Sequence, residues 1–303
     1  MIELVQGNAL NVLRNAEDEQ FRSCITSPPY WGLRDYDSDE QIGNEETPDE
    51  YVDRLVEVFR EVRRTLTHDG TLWVNLGDSY ARNGGTPGGG KREMLQMEGI
   101  QKRMTKIPPG CGLKPKDLVG VPWMVAFALR ADGWYLRSDI IWSKPNPMPE
   151  STTDRPTKAH EYVFLLSKSS TYYFDIDAIK EPAVKATSGN KKRQGRPAPG
   201  TAVGNQSGHV PWTGAMRQKR DVWTVASQRY ETDAAHPAMM PELLVEPCVL
   251  AGSQPADVIL DPFCGSGTVG AVALRLGRSF VGIDLNPTYL QLAVVRTSQS
   301  EAA

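Results

Sequence analysis

The stretch Val258-Ile259-Leu260-Asp261-Pro262-Phe263-Cys264-Gly265-Ser266-Gly267-Thr268 constrains this chain more than any other. A short apolar run stops at a carboxylate and a turn with two glycines follows. Thr268 to Leu276 then carries a helical pattern that ends at Gly277, a usual helix stop. A strand with no polar face must be covered on both sides, which a parallel sheet with crossover helices achieves. The next apolar run, Ser279 to Ile283, ends at Asp284. Strand, glycine turn, helix and acid-tipped strand together describe a pocket for an adenosine-containing ligand. The glycines let backbone approach it, helix N–H groups face it, and the acid accepts from ribose hydroxyls. Gly265, Gly267 and Gly270 also satisfy G-x-G-x-x-G, so a nicotinamide-dependent oxidoreductase is one reading. That enzyme needs two mononucleotide-binding halves, whereas this unit begins only about 40 residues from the end. A carboxylate at Asp261 also repels a pyrophosphate and attracts an ammonium or sulfonium.

The remaining apolar runs extend the α/β reading. Leu4–Gln6, Ser23–Thr26, Thr71–Leu76, Ser138–Trp142 and Glu161–Leu166 join the two runs above to predict a seven-stranded, mostly parallel sheet. Thr47-Pro48-Asp49-Glu50 predicts a capped helix start, and Tyr51, Leu55, Val58, Phe59, Val62 and Leu66 recur at helical spacing behind it. Asp117 to Arg130, interrupted near its start by Pro122, and Pro241 to Leu250 are two further predicted helices.

A second motif follows the Ser23–Thr26 run: Ser27-Pro28-Pro29-Tyr30-Trp31-Gly32. Two prolines remove two backbone donors and stiffen the turn, so its carbonyls are expected unpaired and facing outward. With the Ser27 hydroxyl and the Tyr30 ring, they make an acceptor-lined slot beside a stacking platform, suited to a planar ring with an exocyclic amine. Such an amine is a poor nucleophile because its lone pair is delocalised. Acceptors that take its protons draw the nitrogen towards tetrahedral geometry and free that lone pair, with no covalent enzyme intermediate.

Composition narrows the partners. The net charge is −3, yet Arg82–Lys116 carries a local +6 and Lys180–Tyr230 a local +8, leaving −17 on the rest. Such segregation is expected of a polyanion-facing side on an acidic body, or of two solvated loops. Both basic stretches are rich in glycine, proline or serine, as segments that grip nucleic acid from a rigid scaffold often are. The four cysteines, Cys24, Cys111, Cys248 and Cys264, lie far apart and indicate neither a zinc site nor a disulfide framework, so no metal is expected. Cys248 sits within an apolar helical pattern and reads as buried and inert. The longest apolar stretch, Val119–Leu129, falls well short of the roughly 20 residues of a membrane span, and the start lacks a secretory pattern, so a cytoplasmic location is expected.

Ser27-Pro28-Pro29-Tyr30 resembles the catalytic motif of the DNA amino-methyltransferases, and Asp261-Pro-Phe-Cys-Gly-Ser-Gly-Thr268 resembles their cofactor motif. The first precedes the second, an order similar to that of the circularly permuted beta group. Gln6-Gly7-Asn8-Ala9-Leu10 resembles that group's Gly-Asp-Ala-Leu segment near the cofactor adenine, with Asn8 in place of the common Asp. Asp69–Val74 and Ile141–Asn146 look like the strands flanking the target-base pocket, and His236–Val245 like the helix over the methionine part of the cofactor. His160 falls in a segment that resembles one near the target-base side.

The resemblance implies a Rossmann-like methyltransferase sheet and S-adenosyl-L-methionine as cofactor. It implies cofactor-binding roles for Asn8, Asp261, Pro262, Phe263, Gly265, Gly267, Thr268, Asp284, His236 and Met239, and catalytic roles for Ser27, Pro28, Pro29 and Tyr30. It divides the chain into a catalytic half (1–179, with the basic loop 82–116), a target-recognition insertion (180–230) and a cofactor-binding half (231–303). Lys191, Lys192, Arg193, Arg196, Arg217, Lys219 and Arg220 are the candidate DNA contacts, and Trp212 and Trp223 either stack on bases or anchor a small recognition subdomain. Double-stranded DNA is the implied partner and a cognate restriction endonuclease a candidate second one, with monomer and homodimer both open. Ser at the first motif position generally goes with cytosine N4, whereas Asp or Asn goes with adenine N6. The expectation is therefore site-specific N4-methylation of a cytosine flipped from duplex DNA, with adenine N6 as the alternative. A non-catalytic DNA-binding protein would share the basic segments alone.

Overall fold

The computed structural model describes residues 1–32, 40–81, 111–183, 216–228 and 239–301. In chain order the elements are β1 (Ile2–Gln6), α1 (Ala9–Arg14), β2 (Phe21–Thr26), α2 (Pro48–Thr65), β3 (Leu66–Leu76), α3 (Val121–Ala131), β4 (Tyr135–Ser143) and β5 (His160–Ser167). They continue with β6 (Glu181–Pro182), β7 (Met216–Arg217), β8 (Val222–Thr224), α4 (Glu242–Gly252), β9 (Val258–Asp261), α5 (Thr268–Arg275), β10 (Ser279–Asp284) and α6 (Pro287–Glu301).

Eight of the strands form one sheet in the order β1-β10-β9-β2-β3-β5-β4-β8, and β6 pairs with β7 apart from it. The sheet is parallel except where β5 runs against both neighbours. The expected count of seven is exceeded because Val222–Thr224 adds a parallel edge strand to β4. That strand has three residues, of which only Trp223 is buried, so it has no apolar run to betray it. Each central strand alternates between two layers. Leu72, Val74, Phe164, Leu166 and Leu260 face α2 and α3, while Ile25, Trp73, Val163, Leu165 and Ile259 face α4 and α5.

Local chemistry explains the helix boundaries. In α2, Thr47 Oγ1 accepts from the Glu50 N–H at 3.2 Å and the Glu50 carboxylate accepts from the Thr47 N–H at 3.1 Å, a reciprocal capping box with Pro48 behind it. The helix expected from Asp117 begins instead at Val121. The Asp78 carboxylate, just beyond β3, accepts from the N–H groups of Gly120 and Val121 at 3.0 and 3.2 Å. Pro122 thus falls in the first turn, where its missing N–H costs nothing.

Gly270 shows why the third glycine of the turn-and-helix motif is small. A Cβ there would lie 2.6 Å from two ring atoms of Phe280 on β10, whose side chain is fully buried. Gly270→Ala is expected to destabilise the fold by roughly 1–3 kcal/mol through overpacking, read as a lowered thermal or denaturant midpoint. An unchanged midpoint would show that Phe280 yields freely.

Candidate functional site

β2 and β9 are parallel neighbours, with Ser23 opposite Ile259 and Cys24 opposite Leu260, so the turns leaving them open at the same sheet edge. Residues far apart in the chain therefore meet. Thr26 Oγ1 donates to Asp261 Oδ1 at 2.6 Å, and the Phe263 N–H donates to the same oxygen at 3.1 Å. A cavity of about 330 Å³ opens between the turns. Ser27, Pro28, Pro29 and Tyr30 line one side, with Asp261, Pro262, Phe263, Gly265 and Thr268 across from them. Asn8, Met239 and Asp284 also line the wall, and Gln41, Ile42 and Tyr289 join it with no motif in the sequence to mark them.

The Asp284 carboxylate at the tip of β10 is held by two backbone donors, Gly265 N–H to Oδ2 and Asn286 N–H to Oδ1, both at 2.8 Å. This ties the glycine turn to the next strand and leaves carboxylate lone pairs for a ligand hydroxyl. Asn8 caps α1, its Oδ1 accepting from the Asn11 N–H at 3.3 Å. Gly267 is absent from the cavity wall. With φ at +79°, its Cα lies so near α6 that a Cβ would sit 2.8 Å from Ala293 Cβ, so its smallness serves packing. Arg296 of α6 reaches over the turn to Thr268 Oγ1 at 2.7 Å.

The Ser27–Tyr30 turn departs from expectation at one carbonyl. Pro29 O accepts from Tyr51 Oη of α2 at 2.8 Å, so it is paired, whereas Pro28 O has no hydrogen bond among the described residues. Tyr30 is pinned at both ends. Its hydroxyl donates to Glu161 Oε2 at 2.7 Å, and Gly77 lies so close to the ring that a Cβ there would be 2.6 Å from Cε2. Asn75 Nδ2 reaches Tyr30 Oη at 2.9 Å, Glu161 Oε2 at 3.0 Å and Ser27 Oγ at 3.4 Å. Lys144 closes the network by pairing with Glu161 Oε1. His160, the residue the sequence singles out here, instead sets its ring edge-on to Tyr162 at 5.3 Å. Its neighbour Glu161 faces the site because successive strand residues point to opposite faces.

Burial dominates the electrostatics. It pushes the Asp261 carboxyl from its ordinary 3.8 up to about 7, against the opposing hydrogen bonds from Thr26 and Phe263. It raises Asp284 as well. Burial, then the neighbouring Glu161 charge, lifts Tyr30 well above the ordinary phenol range, so it stays a protonated donor. Cys248 is buried in α4 with its thiol raised by burial, as its apolar setting predicts.

Among the candidate DNA contacts, Arg217 and Arg220 both pair with Glu181 Oε1 at 2.8 Å. Lys219 lies over the Trp223 ring, 5.0 Å from its centroid. Trp223 itself is buried and donates to Arg220 O at 2.6 Å, which makes it an anchor within the fold. Lys191, Lys192, Arg193, Arg196, Trp212 and His236 lie outside the described residues.

The profile of a DNA methylase family, that of the N6 and N4 methyltransferases, matches residues 21–295. The chain belongs to that family. The methylase is 45% identical over 294 residues to the Type II methyltransferase M.Cfr9I of Citrobacter freundii, covering 97% of this chain and 86% of the relative. It is equally 45% identical over 295 residues to M.SmaI of Serratia marcescens, covering 97% and 90%. Its fold resembles PvuII DNA methyltransferase, a cytosine-N4-specific enzyme, with a TM-score of 0.66 at 19% identity over 97% of this chain and 86% of that one. It also resembles M1.HpyAVI in complex with S-adenosylmethionine, with a TM-score of 0.55 at 18% identity over 98% and 100%.

S-adenosyl-L-methionine is the methylase's cofactor, and the cavity suits it on its own terms. A buried carboxylate at Asp261 welcomes a cationic ligand, Asp284 offers acceptors to hydroxyls, and Gly265 brings backbone to the wall.

The raised carboxyls fix the pH dependence of the unliganded fold. Between about pH 4 and pH 7 the folded state holds the Asp261 proton that the unfolded chain has released, so stability falls as pH rises through that window. Chemical denaturation at pH 5 and pH 8 should show this loss, on the order of 2–4 kcal/mol. Asp261→Asn should flatten that part of the profile, and an equal slope in the variant would place the cause elsewhere.

Proposed function

We propose that the methylase transfers a methyl group to the exocyclic N4 of a cytosine flipped out of duplex DNA. The observation that carries this reading is the hydroxyl of Ser27 at the first position of the turn. It lines the cavity beside the Asp261 turn with the Pro28 carbonyl next to it. The amino-methyltransferase resemblance pairs Ser at this place with cytosine, and the structural neighbour named as cytosine-N4-specific points the same way. Adenine N6 is the second reading, since the family takes in both amines.

When bound, the cofactor supplies an electrophilic methyl group on a sulfonium. Ser27 Oγ and the Pro28 carbonyl accept hydrogen bonds from the two N–H groups of the target amine and draw its nitrogen towards tetrahedral geometry. Once the methyl has passed from sulfur to nitrogen, the surplus proton leaves to water. The Tyr30 ring, backed by Gly77 and held by Glu161, stacks on the flipped base. Asp261 and Asp284 hold the cofactor from the opposite wall, with Asn8, Phe263, Thr268 and Met239 around it. Rate comes from positioning two reactants at adjoining strand ends. Arg217, Lys219 and Arg220, with the basic residues 191–196, give the salt-dependent grip on phosphates. The Type II relatives make a cognate restriction endonuclease the natural second partner.

Digestion of DNA methylated with labelled cofactor, followed by nucleoside mass spectrometry, is expected to yield N4-methylcytosine. N6-methyladenine would establish the second reading. Ser27→Ala should lower turnover roughly 100-fold or more while cofactor affinity stays within about twofold. Wild-type turnover in that variant would remove Ser27 from the chemistry. Asp284→Ala should weaken cofactor binding roughly 10-fold or more by calorimetry, and unchanged affinity would remove Asp284 from the cofactor site.

A further inference from the structure

On the sheet face covered by α4 and α5, Ile25, Trp73, Trp142 and Val163 are the last apolar residues of β2, β3, β4 and β5 before the cavity edge. Side chains repeat on one face every second residue. Towards the cavity edge, the next positions on that face are Ser27, Asn75, Lys144 and Glu161. One step along each strand turns that face polar at the same end of the sheet, the antiparallel β5 contributing from its beginning and the others from their ends. Glu161 is the hub. Its Oε2 accepts from Tyr30 Oη at 2.7 Å and from Asn75 Nδ2 at 3.0 Å, and its Oε1 pairs with Lys144. Both charged side chains are largely withdrawn from water, at 16% and 19% exposure, and the Lys144 ammonium also lies 4.1 Å from the Trp142 ring centroid.

A carboxylate that is largely withdrawn from water, paired with an ammonium and saturated with donors serves well as a fixed anchor. We infer that Glu161, held by Lys144, is a positioning residue for methyl transfer: it locks Tyr30 and Asn75, and through them the face and hydroxyl that meet the target base. Asn75, 2% exposed, has the Ser27 oxygen as a third contact, so its donor side also biases the Ser27 hydroxyl proton away from the sheet. This rests on the reading of Ser27–Tyr30 as the target-amine slot, and it adds a cross-strand group that no part of that motif contains.

The test is a double-mutant cycle on Glu161→Gln and Tyr30→Phe, measuring total label transferred to DNA at saturating cofactor. A glutamine of the same shape presents one oxygen and one amide, so either Lys144 or the Tyr30–Asn75 pair loses its acceptor. Glu161→Gln is expected to lower kcat on the order of 10–100-fold, with KM for DNA and cofactor affinity within about threefold. In the Tyr30→Phe background the same change should add little, because the hydroxyl it anchors is already gone. Wild-type kcat in Glu161→Gln, or a full multiplicative loss in the double variant, would overturn the inference. Glu161→Asp, which keeps the charge against Lys144 but draws back from Tyr30, is expected to reproduce the loss of kcat. If neither variant folds well enough to bind cofactor, Glu161 is structural and the inference fails. Total label is blind to which base receives it, so a wild-type product on adenine would overturn the cytosine reading and leave Glu161 untouched.

Discussion

Everything at this site follows from the parallel pairing of β2 with β9. A parallel sheet places the carboxyl ends of neighbouring strands together, and ligands bind where they emerge. Here that rule joins Ser27–Tyr30 to Asp261–Thr268, segments separated by more than two hundred positions, and the Thr26–Asp261 hydrogen bond of 2.6 Å fastens the join. β9 and β10 lie between β1 and β2 in the sheet, so the end of the chain is built into the middle of its beginning. The cavity cannot form until both halves are in place.

The join carries an electrostatic cost. Asp261 and Asp284 sit where burial raises both carboxyls, and Asp261 is poised to ionise near neutrality. A cationic cofactor relieves that cost and an empty site bears it, as expected where a protein keeps strain at its functional edge. Across the cavity the balance differs. Glu161 is partly withdrawn from water, and Lys144, Asn75 and Tyr30 satisfy it.

Contiguous motifs are what the sequence shows plainly. The turn at Asp261, the acid at Asp284, the Ser27 motif and the Thr47 cap are each local arrangements whose chemistry lies in adjacent residues. What stayed hidden depends on partners in other strands. Lys144 and Glu161 sit in segments linked to the target-base side and Asn75 lies just past another, yet only register brings their tips together. His160 stands out in the sequence by the segment it falls in, and its ring packs on Tyr162 while the next residue, Glu161, joins the site. The Pro29 carbonyl is taken by Tyr51, a residue that the periodicity places only in the apolar stripe of α2. The edge strand at Val222 and the departure of Gly267 from the wall are likewise decided by what packs against them.

The central claim is that one edge of the sheet presents a target amine to the cofactor turn. A crystal structure of the methylase with duplex DNA and a non-reactive cofactor analogue tests it most directly. The account predicts a cytosine out of the helix, its N4 within hydrogen-bonding distance of Ser27 Oγ and the Pro28 carbonyl, and its ring on Tyr30 with the Glu161 bond intact. A base lodged away from Ser27, or Tyr30 swung off Glu161 to receive it, would contradict the account.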